Sequence, residues 1–120
     1  MATQNDGLEE RLAKYKEITI TVTGRKSGRP ISRPIWFAWE DGKLYLMPVT
    51  GSDTQWYKNV LKDPVIQIDA RGVKAELKIV TVTGRKEVAA VIEKFREKYG
   101  ASDVKKYYSK FDVAVIADTR

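Results

Sequence analysis

From Ile18 to Thr23 apolar and polar positions alternate one for one, with Ile18, Ile20 and Val22 on one face and Thr19, Thr21 and Thr23 on the other. That period of two belongs to a strand with one buried face. Gly24 to Pro30 interrupts it, an apolar run follows from Ile31 to Trp39, and Asp41-Gly42 gives a hairpin signal leading into KLYLMPV at 43–49. The first third of the chain therefore reads as an antiparallel meander. Ahead of it, residues 1–6 read as frayed, and Leu8, Leu12 and Tyr15 recur at i, i+4, i+7, the stripe of a short amphipathic helix. After Thr50-Gly51, Ser52 and Gln55 have the spacing of a capping box, which predicts a helix to about Asp63, before Pro64. VIQIDA (65–70) and AELKIVTV (75–82) read as strands joined by a turn at Arg71-Gly72. Val88, Ile92, Phe95 and Tyr99 mark one face of a helix from about Glu87, and Ser102 is placed to cap a second one through Tyr108. FDVAVIA (111–117) is the sixth strand.

Six mostly antiparallel strands without βαβ alternation exclude a doubly wound fold. A small closed or half-open β-barrel fits better, because closure removes the edge strands. The expected class is mainly β (α+β), a single domain over 1–120, with peripheral helices. No linker, low-complexity tract or second domain is visible.

Composition narrows the chemistry. With 42% hydrophobic and 32% charged residues the chain is of ordinary globular type. It contains no cysteine and no histidine. Disulfides, thiolate nucleophiles, zinc ribbons, histidine-ligated haem and imidazole triads are excluded together, and no metal site is read. No apolar run has the length of a signal sequence or a membrane span, so a cytosolic (cytoplasmic) protein without membrane insertion is expected. A net charge of +6 points to an anionic partner such as a phosphorylated small molecule, nucleic acid or a membrane surface, or else to a plain basic surface.

The run GRKSGRP concentrates that charge. It is not a phosphate-binding P-loop, since Arg25 rather than glycine precedes Lys26, and a strand rather than a helix follows. It remains a hairpin carrying Arg25, Lys26, Arg29 and Arg33 within nine residues. Guanidinium groups bind phosphate oxygens in a bidentate fork, and tight turns can aim several N–H groups at one point. An ordinary solvated turn is the plainer reading of the same spacing. RPIWFAW then places Trp36, Phe37 and Trp39 on the strand leaving this loop, and MPVTGSDTQWYKN brings a strand end, a helix start and Trp56-Tyr57 together. Such a set can hold a flat ring with a phosphorylated tail, or the aromatics can simply be core.

TGRKSGRP, RPIWF, DGKLYLM and WYKNVLKDP occur in the order and spacing of the deazaflavin-dependent nitroreductase-like proteins. The chain resembles that family over roughly residues 17–70, with looser agreement in KYYSKFDVAV. The family lies in the wider flavin/deazaflavin oxidoreductase superfamily of split β-barrels, which includes pyridoxamine-phosphate oxidase-like proteins. The resemblance implies an FMN-binding-type split barrel of six antiparallel strands holding coenzyme F420, with FMN as the alternative. It assigns Arg25 and Lys26 to the cofactor's phosphate and acidic tail, and Arg33, Pro34, Ile35 and Trp36 to the strand beside the ring. Pro48, Val49, Thr50 and Gly51 fall at the turn near ring edge and phosphate, and Trp56, Tyr57 and Asn59 on the helix over the cofactor. Tyr107 and Tyr108 fall around the substrate pocket. Val49-Thr50-Gly51 stands where the family usually has serine–lysine–glycine, and Ile31 where it tends to be basic, while a Thr-Gly-Ser turn also suits FMN phosphate.

What the resemblance implies is hydride transfer from reduced F420 to a quinone, nitro compound or activated alkene, by a homodimer. No catalytic side chain is named, because the hydride donor needs no side-chain base. Two rivals are a flavin- or deazaflavin-binding protein without turnover and a nucleic-acid-binding barrel, the latter disfavoured because the aromatics lie in apolar runs. TVTGRK recurs at 81–86, where EVAAV follows. There Thr83 or Gly84 falls at a helix N-cap, and Arg85 and Lys86 read as solvated charges outside the site.

Overall fold

The computed structural model describes residues 3–119. Helix α1 (Thr3–Lys14) precedes strands β1 (Glu17–Thr23), β2 (Pro30–Glu40) and β3 (Lys43–Leu46). A 3-10 turn (Gly51–Asp53) and α2 (Gln55–Lys62) lead to β4 (Val65–Ala70) and β5 (Val73–Val82). Helices α3 (Arg85–Tyr99) and α4 (Ala101–Tyr107) precede β6 (Ala114–Asp118). The strands close an antiparallel barrel in the order β1-β2-β3-β6-β5-β4. α1 reaches four positions into the stretch expected to be frayed, and residues 1 and 2 lie outside the described residues.

Two long strands make the barrel split. β2 pairs with β1 through residues 30–36 and with β3 through 37–40. β5 pairs with β4 through 73–78 and with β6 through 79–82. Each long strand thus belongs to both halves of the barrel, and residues 30–36 of β2 have a strand neighbour on one side alone. Pro30 and Pro34 lie in that half, where proline is tolerated because a strand with one neighbour has N–H groups directed at no partner.

The alternation in β1 places Ile18, Ile20 and Val22 inside, against Phe37, Leu44, Leu46, Ile66, Ile68 and Val115. Leu8 and Leu12 of α1 join this core. A second cluster lies outside the barrel wall, where Val91 and Phe95 of α3 and Val104 of α4 pack on Ala38, Met47 and Ala114. Both predicted hairpins form. Asp41 and Gly42 (φ 52° and 77°) and Arg71 and Gly72 (φ 55° and 96°) take the left-handed backbone that two-residue turns joining right-twisted strands require.

Several boundaries differ from expectation. The Ser52–Gln55 capping box does not form, because the Asp112 carboxylate takes both the N–H and the hydroxyl of Ser52 (2.9 and 2.6 Å), and α2 starts at Gln55 with Thr54 as its N-cap. Ser102 does not cap α4, because Gly100 (φ 94°) ends α3 and serves as the N-cap of α4 directly. β3 stops at Leu46 and β6 begins at Ala114, since each pairs only over the four or five residues that face the other and their long neighbours.

One side chain substitutes for missing strand. β1 begins at Glu17, opposite Trp36, so Phe37 has no β1 partner. The Phe37 N–H donates to the Tyr99 hydroxyl at 3.0 Å, and that hydroxyl lies 2.6 Å from the Lys16 carbonyl and 2.8 Å from that of Phe37. Lys98 donates to the Phe37 carbonyl at 2.9 Å with its ammonium over the Phe37 ring. Burial, and then the nearby Lys16 charge, pull the Lys98 pKa down from 10.5 to about 8. Burial pushes the Tyr99 phenol up from 10.0 to about 12, and the buried Tyr108 moves in the same direction.

These shifts predict a stability maximum at alkaline pH. Between about pH 8 and 10.5 the unfolded chain holds the Lys98 proton more tightly than the folded one, so stability rises with pH across that window. Above pH 10 the unfolded chain releases its tyrosine protons first, so the stabilisation from Tyr99 is lost as pH climbs towards 12. Urea midpoints taken stepwise from pH 7 to 11 are expected to peak near pH 10. In Lys98→Met the rising limb disappears and the fall above pH 10 stays.

Candidate cofactor cleft

The unpaired half of β2 forms one wall of a cleft of about 960 Å³. The opposite wall comes from Val49, the start of α2 (Thr54, Gln55, Trp56, Asn59) and the end of α4 (Tyr107, Tyr108). The turn after β1, with Gly24, Arg25, Lys26 and Ser27, closes one end, and Glu17 lies on the lining as its single carboxylate.

Arg25 is fixed in this cleft by a stripe on α2. Its Nη1 donates to Asn59 Oδ1 at 2.8 Å and its Nη2 to Gln55 Oε1 at 2.8 Å. Its backbone N–H also donates to Asn59 Oδ1 (3.1 Å), and Lys62 Nζ donates to the Arg25 carbonyl (3.0 Å). Gln55, Asn59 and Lys62 are spaced i, i+4, i+7, so one helix face grips the turn. The turn itself is closed by Gly24 N–H to Arg29 O (2.8 Å) and Gly28 N–H to Gly24 O (2.9 Å). Both groups holding the guanidinium are neutral amides. The ion pairs Lys94–Glu40, Arg96–Glu93 and Lys110 with Asp53 and Asp112 involve neither Arg25 nor Lys26 nor Arg33. Among the described residues Arg25 is thus held in place without a carboxylate partner, the condition for receiving an anion.

Trp36 provides the aromatic wall. Tyr99 stacks behind it (centroids 4.2 Å, planes 7° apart), and Tyr107 meets it edge-on at 5.3 Å. Trp36 is held by Tyr99, which the backbone of Lys16 and Phe37 holds in turn.

Of the candidate residues, the fold gathers Arg25, Lys26, Arg33, Pro34, Ile35, Trp36, Val49, Trp56, Asn59, Tyr107 and Tyr108 on the cleft. It does not bring Pro48, Thr50, Gly51 or Tyr57 there. Tyr57 points into the barrel core. The Thr50-Gly51 turn has its donors already used: Thr50 N–H bonds Thr54 Oγ1, Gly51 N–H bonds Pro48 O, and Ser52 N–H and Oγ bond Asp112. Gly51 (φ 58°) is needed there, since a Cβ would lie 2.1 Å from Asp112 Oδ1. The chain's own carboxylate thus sits on the turn that the sequence offered to a phosphate. Gln55, Glu17 and Tyr99 escaped the sequence reading; only Gln55 left a local signal, its helical spacing to Asn59.

The second TVTGRK has the other fate. Gly84 is the N-cap of α3, and Arg85 and Lys86 are exposed in its first turn, away from the cleft. Among the described residues no helix is long and apolar enough to cross a membrane.

Solved structures share this fold at low sequence identity. An F420-H2 dependent reductase (FDR-A) superposes with a TM-score of 0.67 at 19% identity, over 86% of this chain and 94% of that one. A domain-swapped dimer matches with a TM-score of 0.69 at 19% identity, over 94% of this chain and 96% of that one. HutZ, the heme storage protein from Vibrio cholerae, matches with a TM-score of 0.69 at 13% identity, over 94% of this chain and 87% of that one. The closed six-stranded barrel is therefore a fold that this chain shares with these structures. The profile of the family described as "Uncharacterized protein conserved in bacteria (DUF2255)" matches residues 9–116, and the chain belongs to that family.

Proposed function

We propose that the cleft holds coenzyme F420 and that the protein is an F420-dependent oxidoreductase acting on electron-poor acceptors such as quinones, nitro compounds or activated alkenes. The observation carrying this reading is Arg25, clamped by two neutral amide oxygens at 2.8 Å beside an apolar, aromatic-walled cleft. The volume suits a flat ring system with an anionic tail, since ligand pockets commonly run to about 1,000 Å³. Arg25 and Lys26 would hold the phosphate and acidic tail; Ile35, Trp36 and Trp56 would flank the ring; Tyr107 would border the acceptor. The bound deazaflavin supplies the hydride, and the chain binds, orients and keeps water from the ring. Tyr107, on the cleft lining, would supply a proton to the product. The FDR-A likeness supports this reading, and a swapped dimer of the same fold supports a homodimer.

The same cleft with FMN is the alternative. A heme-storage role like that of HutZ would have to do without imidazole or thiolate ligands, since the chain has neither histidine nor cysteine. The cleft test is a titration: the protein is expected to quench F420 fluorescence at lower concentration than it binds FMN, and to oxidise reduced F420 when a quinone is added. Binding without oxidation would convert the reading to a carrier protein, and tighter FMN binding would reverse the cofactor.

A further inference from the structure

We infer that the end of the cleft farthest from Arg25 is a subsite for an ammonium group, formed by Glu17 with the rings of Trp36, Tyr107 and Tyr108, so that the acceptors this protein takes carry a cationic nitrogen. The subsite deepens the reductase reading by naming a substrate class; it rests on the cleft as the binding site and not on which cofactor fills it.

Glu17 is the one acid on a lining that otherwise carries Arg25, Lys26 and Arg33. Its side chain is exposed and, among the described residues, has no hydrogen-bond or ion-pair partner, though its charge acts on the Tyr99 phenol. Register fixes its place: Glu17 faces Trp36 at one end of the β1–β2 ladder, and Thr23 faces Pro30 at the other, next to the cationic turn. Six strand residues separate the two ends by about 20 Å. The cleft is therefore electrically two-ended.

Three rings border the acidic end. Tyr107 meets Trp36 at 5.3 Å and 76°, and Tyr108 meets it at 6.2 Å and 48°. Tyr99 blocks rotation of the indole from behind. A carboxylate beside aromatic faces set at steep angles is the arrangement that binds ammonium and quaternary ammonium groups, through charge and the ring quadrupole together. Tyr107 already attracts a cation of the chain, with Lys106 Nζ 5.4 Å from its centroid. Of the other cations near these rings, Lys98 is bonded to the Phe37 carbonyl, so Lys106 is the one that a ligand's ammonium would have to displace from Tyr107.

Three ligands of one shape separate charge from ring stacking: benzyltrimethylammonium, benzyl alcohol and benzoate, each titrated calorimetrically into the full chain. The cation is expected to bind about tenfold tighter than the alcohol, and benzoate more weakly than either. In Glu17→Gln, an exposed and isosteric change, the preference for the cation over the alcohol should fall to about twofold or less. Equal affinity of the wild-type protein for cation and alcohol, or an undiminished preference in Glu17→Gln, overturns the subsite. Because the titration contains no cofactor, a protein that prefers the cation but does not bind F420 supports the subsite while sinking only the reductase reading.

Discussion

Replacing Arg25 and Lys26 together by alanine weakens F420 binding by about two orders of magnitude, and the same change at Arg85 and Lys86 leaves it within about twofold. Hydrogen bonds to charged groups contribute about 1.5–3 kcal/mol each, and about 1.4 kcal/mol is a factor of ten, so losing both cations at one anion accounts for the figure. The contrast is sharp because both pairs end the same six-residue stretch. The first is bent into the cleft, with Arg25 held by Gln55 and Asn59; the second lies exposed on the first turn of α3. Asn59→Asp should act in the same direction as losing Arg25, because it sets a carboxylate against the guanidinium while keeping the contact. Fluorescence titration of the three variants decides the matter, and equal losses from the two double mutants would undo the assignment.

The largest effect on stability is expected at Phe37. Phe37→Ala should cost about 3–5 kcal/mol, a large share of the roughly 5–15 kcal/mol that holds a domain together. The side chain is fully buried at the point where β2 leaves β1 and joins β3. Its loss opens a cavity between the two halves of the barrel and removes the face on which the Lys98 ammonium rests. Phe111→Ala, with the ring 37% exposed, should cost about 1 kcal/mol or less. Urea unfolding with an unchanged slope would report both; a loss at Phe37 no larger than at Phe111 would contradict the role of this crossing.

What the sequence made legible was what neighbours along the chain decide. The alternation at 18–23, the two turns with left-handed backbone and the six residues of β4 follow from local period and turn chemistry, and each forms as read. The separate fates of the two TVTGRK copies were legible as well, because proline and a strand follow one while a helix follows the other. Ser52 misled because its partner, Asp112, lies sixty residues on and competes successfully for the hydroxyl. Tyr99 was read as one more residue of an apolar stripe; its role as a substitute strand partner depends on where β1 happens to begin. Glu17 carried no motif at all. Its meaning comes from the register that sets it against Trp36.

The half-paired stretch of β2 has a consequence for how the protein behaves at high concentration. A run of seven strand residues with one side unpaired is a template on which a strand of another molecule can add. Here that edge is interrupted by Pro30 and Pro34 and carries Arg33, the residues that make such addition unfavourable. Exchanging Pro34 for valine would leave Pro30 as the remaining proline, at the very end of that edge, and the protein would gain a route to fibrous aggregation that a bound ligand, by covering the edge, would suppress.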